Sequence, residues 1–185
     1  MTLRIVSLAA LLALSAAPAF ARGMTTKTVG GAPMYSSKTI VENAVNSKDH
    51  TTLVAAVKAA GLVDTLQTAG PFTVFAPTNK AFGKLPKGTV ETLVKPENKQ
   101  ALTGILTYHV VPGRLTASDL MTKVKEGRGT AMLTTVQGET LTVKQSGRNR
   151  LTITDQKGDR ATVTIADVLQ SNGVIHVVDT VLLPG

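Results

Sequence analysis

The chain has 185 residues, the length of one ordinary globular domain with short terminal segments. Hydrophobic residues make up 43% and charged residues 17%, a balance that excludes an intrinsically disordered chain. The formal net charge is +8, aromatic residues make up 3%, and Cys and Trp are absent. This composition excludes disulfides, thiolate metal sites and a cysteine nucleophile, and it argues against an aromatic platform for sugars or single-stranded nucleic acid.

The first 21 residues have the pattern of an export signal. A basic residue precedes the apolar run 5–17, and the segment ends in Ala19-Phe20-Ala21, the small-x-small pattern that signal peptidase accepts. The run is shorter than the roughly 20 apolar residues of a spanning helix. We therefore predict a signal peptide over 1–21, cleavage between Ala21 and Arg22, no transmembrane segment in the mature chain, and a secreted or periplasmic protein.

The first half of the mature chain is predicted to be mainly helical. Residues 22–38 are rich in Gly, Thr, Ser and Lys, which predicts a flexible leader before a single domain over 39–185. Helical spacing of apolar residues after Asp49 and a stop at Gly61 predict a helix. The remaining elements expected in this half are a buried strand over 72–76, a short helix capped by Thr78 or Asn79, and helices over 89–94 and 96–107.

The second half has the alternating β-branched pattern of strands joined by short turns. Segments such as Leu151-Thr152-Ile153-Thr154 bury one face and expose the other. Strands are expected over 110–113, 132–136, 139–144, 151–154, 162–165 and 174–183. The sequence therefore predicts the α+β class, with a helical first half and a strand-rich second half.

Three segments, in this order, resemble the boxes of the fasciclin-type adhesion domain family. The first is 72–82, with Pro77-Thr78-Asn79 at its turn; the second is 106–113, with Tyr108-His109; the third is 172–184, around His176. The resemblance covers about residues 39–184, and three ordered motifs are more specific than one. It implies a wedge-shaped β-sandwich with helices packed at one side. It also implies an exported adhesion protein similar to the small single-domain bacterial members.

Most of the residues in these motifs are expected to be structural. Pro77 lacks an N–H and ends a strand, while short polar side chains after it satisfy amides at the next helix start. Phe75 and Phe82 are expected in the core. The residues assigned mainly structural roles are Thr73, Phe75, Ala76, Pro77, Thr78, Asn79, Phe82, Asn172, Gly173 and His176.

Four residues are candidate partner contacts. The resemblance implies them, because in animal members the Tyr-His region and a nearby Asp-Ile pair are implicated in integrin contact. The corresponding residues here are Tyr108, His109, Asp119 and Leu120, with Leu in place of Ile. The alternative for His109 is a buried donor that ties the motif to a backbone carbonyl.

The sequence favours a non-catalytic binding module for cell adhesion or for association with a cell surface or matrix, with no cofactor or metal. Its three His residues lie far apart without a short metal-ligand spacing, and no nucleophile elbow or phosphate loop is present. The expected partner is a cell-surface protein or polysaccharide, with self-association as an alternative. Nucleic acid is not expected for an exported chain.

Two other functions stay open. A periplasmic binder of a small apolar or lipid-like ligand would need a pocket of several hundred cubic ångströms, on the scale of known ligand sites. A hydrolase or metal enzyme, the less favoured, would bring His109 or His176 to a carboxylate in a cleft. Basic residues at 144, 148, 150, 157 and 160 either form a patch for an anionic polymer or only solubilise the hairpins, since the sequence does not show whether they share a face.

Overall fold

Helices and strands surround two apolar cores, with most of the strands in the second half of the chain. The structure, a computed structural model, describes residues 26–68 and 70–185, and the predicted signal peptide with its cleavage site lies outside them. The helices are α1 Ile40–Ala44, α2 Thr51–Ala60, α3 Val63–Gln67, α4 Asn79–Phe82, α5 Thr89–Leu93, α6 Lys99–Tyr108 and α7 Ala117–Glu126, with 3₁₀ turns at Lys48–His50 and Pro96–Asn98. The strands are β1 Lys27–Val29, β2 Ala32–Met34, β3 Phe72–Pro77, β4 Val110–Pro112, β5 Ala131–Thr134, β6 Thr140–Gln145, β7 Leu151–Thr154, β8 Arg160–Gln170 and β9 Gly173–Val178.

Seven strands form one mixed sheet in the order β4-β3-β9-β8-β7-β6-β5. The pair β3–β9 is parallel and the other neighbours are antiparallel. The two ends of this sheet come together, since the N–H of Val136, just after β5, donates to the carbonyl of Val110 in β4 at 2.8 Å. The α+β class is confirmed, and the expected sandwich is built from one continuous sheet that curls back on itself.

Two apolar clusters fill the fold. The first lies between the helices and one part of the sheet and includes Leu53, Val57, Leu106, Val74 and Ile175. The second lies inside the curl of the sheet, closed by Leu120 and Val124 of α7, and includes Phe75, Tyr108, Leu141, Val143, Leu151 and Ile153. Because β6 and β7 alternate buried and less buried positions, their other face is left toward solvent.

Local signals explain where several helices begin and end. Thr39 with Glu42 forms a capping box before α1, and Thr116 with Asp119 forms another before α7. Gly61 ends α2 with a φ of 73°, in the left-handed region that glycine adopts without strain. No helix within the two described ranges is both long and apolar enough to cross a membrane.

The flexible leader predicted over 22–38 needs correction at residues 27–34. Residues 27–34 form the hairpin β1–β2, and Val29 and Met34 are 4% and 3% exposed in the first core. The segment is polar overall, so the sequence did not indicate that Val29 of β1 and Met34 of β2 are buried in the core. The final strand is also shorter than predicted, since β9 ends at Val178, and α7 was not predicted.

Candidate binding surfaces and buried polar motifs

Tyr108 and His109 are buried where α6 ends, with exposed fractions of 0% and 2%. His109 Nδ1 lies 2.8 Å from the carbonyl of Ile105, and its Nε2 accepts from the N–H of Leu182 at 3.0 Å. This pairing assigns the Nδ1–H tautomer. The Tyr108 hydroxyl donates to the carbonyl of Thr140 at 3.3 Å and accepts from the N–H of Gln156 at 3.2 Å. Both side chains therefore connect α6 to distant strands and to the C-terminal segment.

His176 lies in the middle of β9 and is fully buried. Its Nε2 donates to the carbonyl of Leu115 at 2.8 Å, its Nδ1 accepts from the N–H of Asp167 at 3.4 Å, and its ring stacks on Phe75 with centroids 5.7 Å apart. Asp167 has a φ of 54° and accepts from the N–H of Ala117 at 2.7 Å, at the start of α7. The imidazole thus joins β9 to the bulged part of β8 and to the segment before α7.

Burial lowers the pKa of each of the three imidazoles. For His109 it lowers the pKa to about 4, against the opposing effects of the Ile105 carbonyl and the Asp155 carboxylate. Burial also lowers the pKa of His176 and of His50, whose Nδ1 lies 2.9 Å from the Ser47 hydroxyl. At neutral pH the rings are therefore uncharged hydrogen-bonding groups.

The two motif asparagines connect segments far apart in the chain. Asn172 Oδ1 accepts from the N–H of Ile40 at 3.0 Å, and its Nδ2 donates to the carbonyls of Leu66 and Thr68. At the next residue, Gly173, a Cβ atom would collide with the carbonyl of Phe72, so the close approach of β9 to β3 requires glycine.

Asn79 supplies the cap that α2 does not carry itself. The residue before α2, His50, makes no side-chain capping bond, while Asn79 Oδ1 accepts from the Thr52 N–H at 3.0 Å and from the Thr51 hydroxyl at 3.2 Å. Its Nδ2 donates to the carbonyl of Lys48 at 2.8 Å. Thr78 caps α4 itself by accepting from the N–H of Ala81 at 3.2 Å.

Asn79→Ala is expected to lower the free energy of unfolding by about 2 kcal/mol, because it removes this cap and leaves the Lys48 carbonyl without its partner. Urea denaturation at neutral pH measures the change. The control is Lys80→Ala at the exposed next residue, expected within about 0.5 kcal/mol of the wild type. Equal stability of the two variants would contradict the bridging role.

The candidate partner contacts divide by burial. Tyr108, His109 and Leu120 have at most 2% of their surface exposed, so a partner of the folded domain does not reach them, and these three assignments are corrected. Asp119 is exposed, and its carboxylate accepts from the Thr116 hydroxyl and N–H at 2.7 and 2.8 Å. The same two bonds, the hydroxyl first, lower the pKa of Asp119. Its structural task is the α7 capping box.

Three further motif residues lie on β3. Thr73 donates from its hydroxyl to the carbonyl of Gly113 at 2.6 Å and accepts from the N–H of Leu115 at 2.9 Å. Ala76 and Pro77 pair with Val177 and Val178 in the parallel register of β9. The remaining aromatic of the box, Phe82, is 8% exposed in the first core.

The described parts of the chain contain no group of three His, Asp or Glu residues that could hold a metal ion. Both ring nitrogens of His109 and of His176 already contact backbone atoms. Neither ring has a nitrogen left to act as a base or ligand while those contacts hold.

Five basic residues of the second half lie on or beside strands β6, β7 and β8. Lys144 on β6 lies opposite Thr152 on β7, and Arg160 on β8 lies opposite Thr154, two residues along the same strand. Because side chains alternate between the two faces of a strand, Lys144 and Arg160 both lie on the solvent-facing side of the sheet. The three adjacent strands β6, β7 and β8 are spaced about 4.8 Å apart. We define the basic face as these two residues with the exposed cations of the flanking turns: Lys144, Arg148, Arg150, Lys157 and Arg160.

The charge of the basic face is concentrated at one end. Segment 140–154 contains no Asp or Glu and holds Lys144, Arg148 and Arg150. At the other end, exposed Asp159 lies in the turn with Lys157, whereas the Asp155 carboxylate is turned inward and accepts from three backbone N–H groups. Threonine hydroxyls of β6 and β7 lie between the two ends.

An apolar cavity of about 70 Å³ lies between the helices and the sheet. Its walls come from α1, α2, α3 and α6 and from β3 and β4. This volume is below the several hundred cubic ångströms of a general ligand pocket.

Sequence reasoning missed the buried carboxylate of Asp155 and the pair formed by Asn43 Nδ2 and Gln170 Oε1. Asn43 and Gln170 are 127 residues apart, so no short motif relates them, and the Asp155 carboxylate combines a local turn with a bond to the distant N–H of Leu183. The sequence also did not distinguish Lys58, which lines the cavity, from the many other exposed lysines.

Comparison with known proteins gives matches over most of the chain. Residues 48–184 match the family profile of the fasciclin domain. A Synechocystis protein named sll1483 is 47% identical over 189 aligned residues, covering 95% of this chain and 97% of that protein. The immunogenic protein MPB70 of Mycobacterium bovis is 38% identical, covering 76% of this chain and 66% of that protein.

Longer proteins and a solved structure contain the same unit. The transforming growth factor-beta-induced protein ig-h3 of Sus scrofa is 39% identical over 71% of this chain, which corresponds to 17% of that protein. The structure of a FAS1 domain pair from the insect cell adhesion molecule Fasciclin I matches with a TM-score of 0.71 and 23% identity, covering 79% of this chain and 51% of that one. At that identity the structural match establishes the fold.

Proposed function

This chain belongs to the fasciclin domain family, and from that membership we propose that it is an exported, non-catalytic adhesion module that binds an anionic polysaccharide of a cell surface or matrix. The observation that carries the proposal is the basic face on β6, β7 and β8. A family member with the same fold is named as a cell adhesion molecule, which supports the function class. The export signal pattern of residues 1–21 supports the location.

The basic face suits a charged polymer better than a protein partner. Its five cations are exposed, and the ion pair found between described residues, Lys84 with Asp179 at 3.8 Å, lies elsewhere. Protein interfaces depend on buried aromatic and apolar anchors, whereas the outward residues of β6 and β7 between these cations are threonines. The five cations are distributed along the length of β7, about 13 Å, and over the turns at its two ends. This row of positive charges suits the repeated carboxylate, sulfate or phosphate groups of an acidic polysaccharide.

The polar groups of the family motifs support a non-catalytic role. His109, His176, Asn79 and Asn172 bind backbone or hydroxyl groups inside the fold. A binding module needs such a rigid scaffold, with contacts made by exposed strands and turns.

The basic face is tested by neutralising Lys144, Arg148 and Arg150 together to Gln. Because each exposed ion pair is worth about 0.2–1 kcal/mol, the triple variant is expected to bind an acidic surface polysaccharide about tenfold more weakly. The matched control neutralises Lys80, Lys87 and Lys95, which are exposed outside this face, and should change binding less than twofold.

Binding is measured to intact cells, to extracted acidic polysaccharide and to a neutral polysaccharide, across a salt series. An unrelated secreted domain of similar net charge gives the background. Equal losses in the two triple variants would mean that only net charge attracts the polymer, and equal binding to the neutral polysaccharide would remove charge recognition altogether. Either result contradicts the proposal.

A further inference from the structure

Threonine side chains form the outer surface of the sheet between Lys144 and Arg160. The inward residues of β6 and β7 are buried in the second core, so the threonines that alternate with them face outward. The strand register arranges the outward residues in two rows that cross the strands. The first row is Lys144, Thr152 and Thr162, and the second row is Met132, Thr142, Thr154 and Arg160.

Three hydroxyl groups of these rows have no hydrogen-bond partner among residues 26–68 and 70–185. They belong to Thr142, Thr154 and Thr162, whose side chains are half-buried. The hydroxyl of Thr152 lies 2.8 Å from that of Ser146. Because threonine has restricted rotation about χ1, the three free hydroxyls are held in place before a ligand arrives.

The two rows have a defined spacing. Thr142 and Thr154 lie directly opposite each other, which puts their Cβ atoms about 4.5–5.5 Å apart, and the threonine pair of the first row has the same arrangement. Lys144 and Arg160 are on opposite strands of the group β6–β8, about 10 Å apart across the strands and about 7 Å apart along them. A polymer that contacts both cations therefore passes over the threonine pairs.

The threonine hydroxyls distinguish polymers that carry the same charge. A hydroxyl both donates and accepts, as the ring hydroxyls of a sugar do. A polyanion without hydroxyls would cover the free threonine hydroxyls and leave them without partners, which weakens binding. Sulfate esters replace sugar hydroxyls, so a heavily sulfated polymer offers fewer partners. At the end of the second row, Met132 is 73% exposed and offers an apolar contact to the C–H face of a ring.

We propose that the threonine pairs bind ring hydroxyls, so that the basic face selects a uronic-acid polysaccharide with free hydroxyls over polyanions that lack them. This inference rests on the proposed polysaccharide binding and names the substrate class at the same site. Lys144 and Arg160 attract the carboxylates, and Thr142 and Thr154 determine the specificity.

Calorimetric titration of the full protein with polygalacturonate and with polyglutamate tests the inference, because both polymers carry carboxylates and only the first carries ring hydroxyls. Replacing Thr142 and Thr154 together by Val keeps the branched shape and the strand preference of both residues. We expect this variant to bind polygalacturonate about tenfold more weakly and to change polyglutamate binding less than about twofold. The matched control replaces Thr28 and Thr122, which are exposed outside the face, by Val and should change neither.

Unchanged polygalacturonate binding by the Thr142 and Thr154 variant, or equal losses for the two polymers, would overturn the inference. Circular dichroism checks folding, and if the double variant does not fold, Thr154→Val alone decides, with an expected loss of about threefold. No polygalacturonate binding by the wild type would also overturn the inference. The proposed function fails separately, when the extracted acidic polysaccharide does not bind or when neutralising Lys144, Arg148 and Arg150 has no effect.

Discussion

Phe75→Ala is expected to lower the free energy of unfolding by about 3–5 kcal/mol. Phe75 is 0% exposed, stacks on His176 and lies in the second core with Tyr108 and Leu182. Truncation removes these contacts and leaves a cavity that the curled sheet closes only in part.

Equilibrium unfolding in urea measures this loss as a shift of the midpoint at constant slope. Met132→Ala is the matched control, since Met132 is 73% exposed and its truncation should change stability by about 0.5 kcal/mol or less. A loss below about 1 kcal/mol for Phe75→Ala would show that the box around β3 is not the centre of the fold.

Acidification is expected to destabilise the domain well above the range where carboxylates titrate. The pKa of His109 is about 4 in the folded state and about 6.5 in an unfolded chain. The unfolded state therefore binds the proton first as the pH falls, so the stabilisation is complete above about 6.5 and is lost progressively down to about 4. For His109 alone the loss is about 3 kcal/mol, and the lowered pKa values of His176 and His50 act in the same direction.

The free energy of unfolding measured between pH 6.5 and 5 tests this linkage. We expect a slope of at least about 1.4 kcal/mol per pH unit in the lower part of that range. The variant His109→Gln should be less stable than the wild type at pH 7. Its free energy of unfolding should also depend less on pH, by about 1.4 kcal/mol per pH unit, which is the contribution of one proton. A stability that stays constant from pH 7 to 5 would contradict the buried neutral imidazoles.

Local patterns predicted much of the fold because they act over a few residues. The strand over 151–154 has the predicted bounds, since alternation of Leu and Ile with Thr is unambiguous. The helix before Gly61 was also predicted, because helical spacing and a glycine stop coincide. The hairpin 27–34 and α7 were missed because their apolar residues are few and are buried by distant parts of the chain.

The candidate sites depended on distances that the sequence does not contain. Tyr108 and His109 form a conspicuous motif, but the end of α6 turns both inward, so the motif marked structure and not a contact surface. The basic face required the antiparallel register that aligns Lys144 with Thr152 and Thr154 with Arg160. The cavity is formed where four helices and two strands pack together, and the sequence of no single segment predicts this packing.

The most direct test of the proposed function is to locate the polymer on the domain. Backbone amide shifts of the ¹⁵N-labelled protein are recorded during titration with an acidic oligosaccharide prepared from the surface polysaccharide, at about 0.15 M salt, where screening acts beyond ~8 Å. The account predicts that the largest shifts fall in residues 140–162, around Lys144, Arg148 and Arg150. Shifts that centre on α5 and α6, or that spread evenly over every exposed lysine, would contradict it.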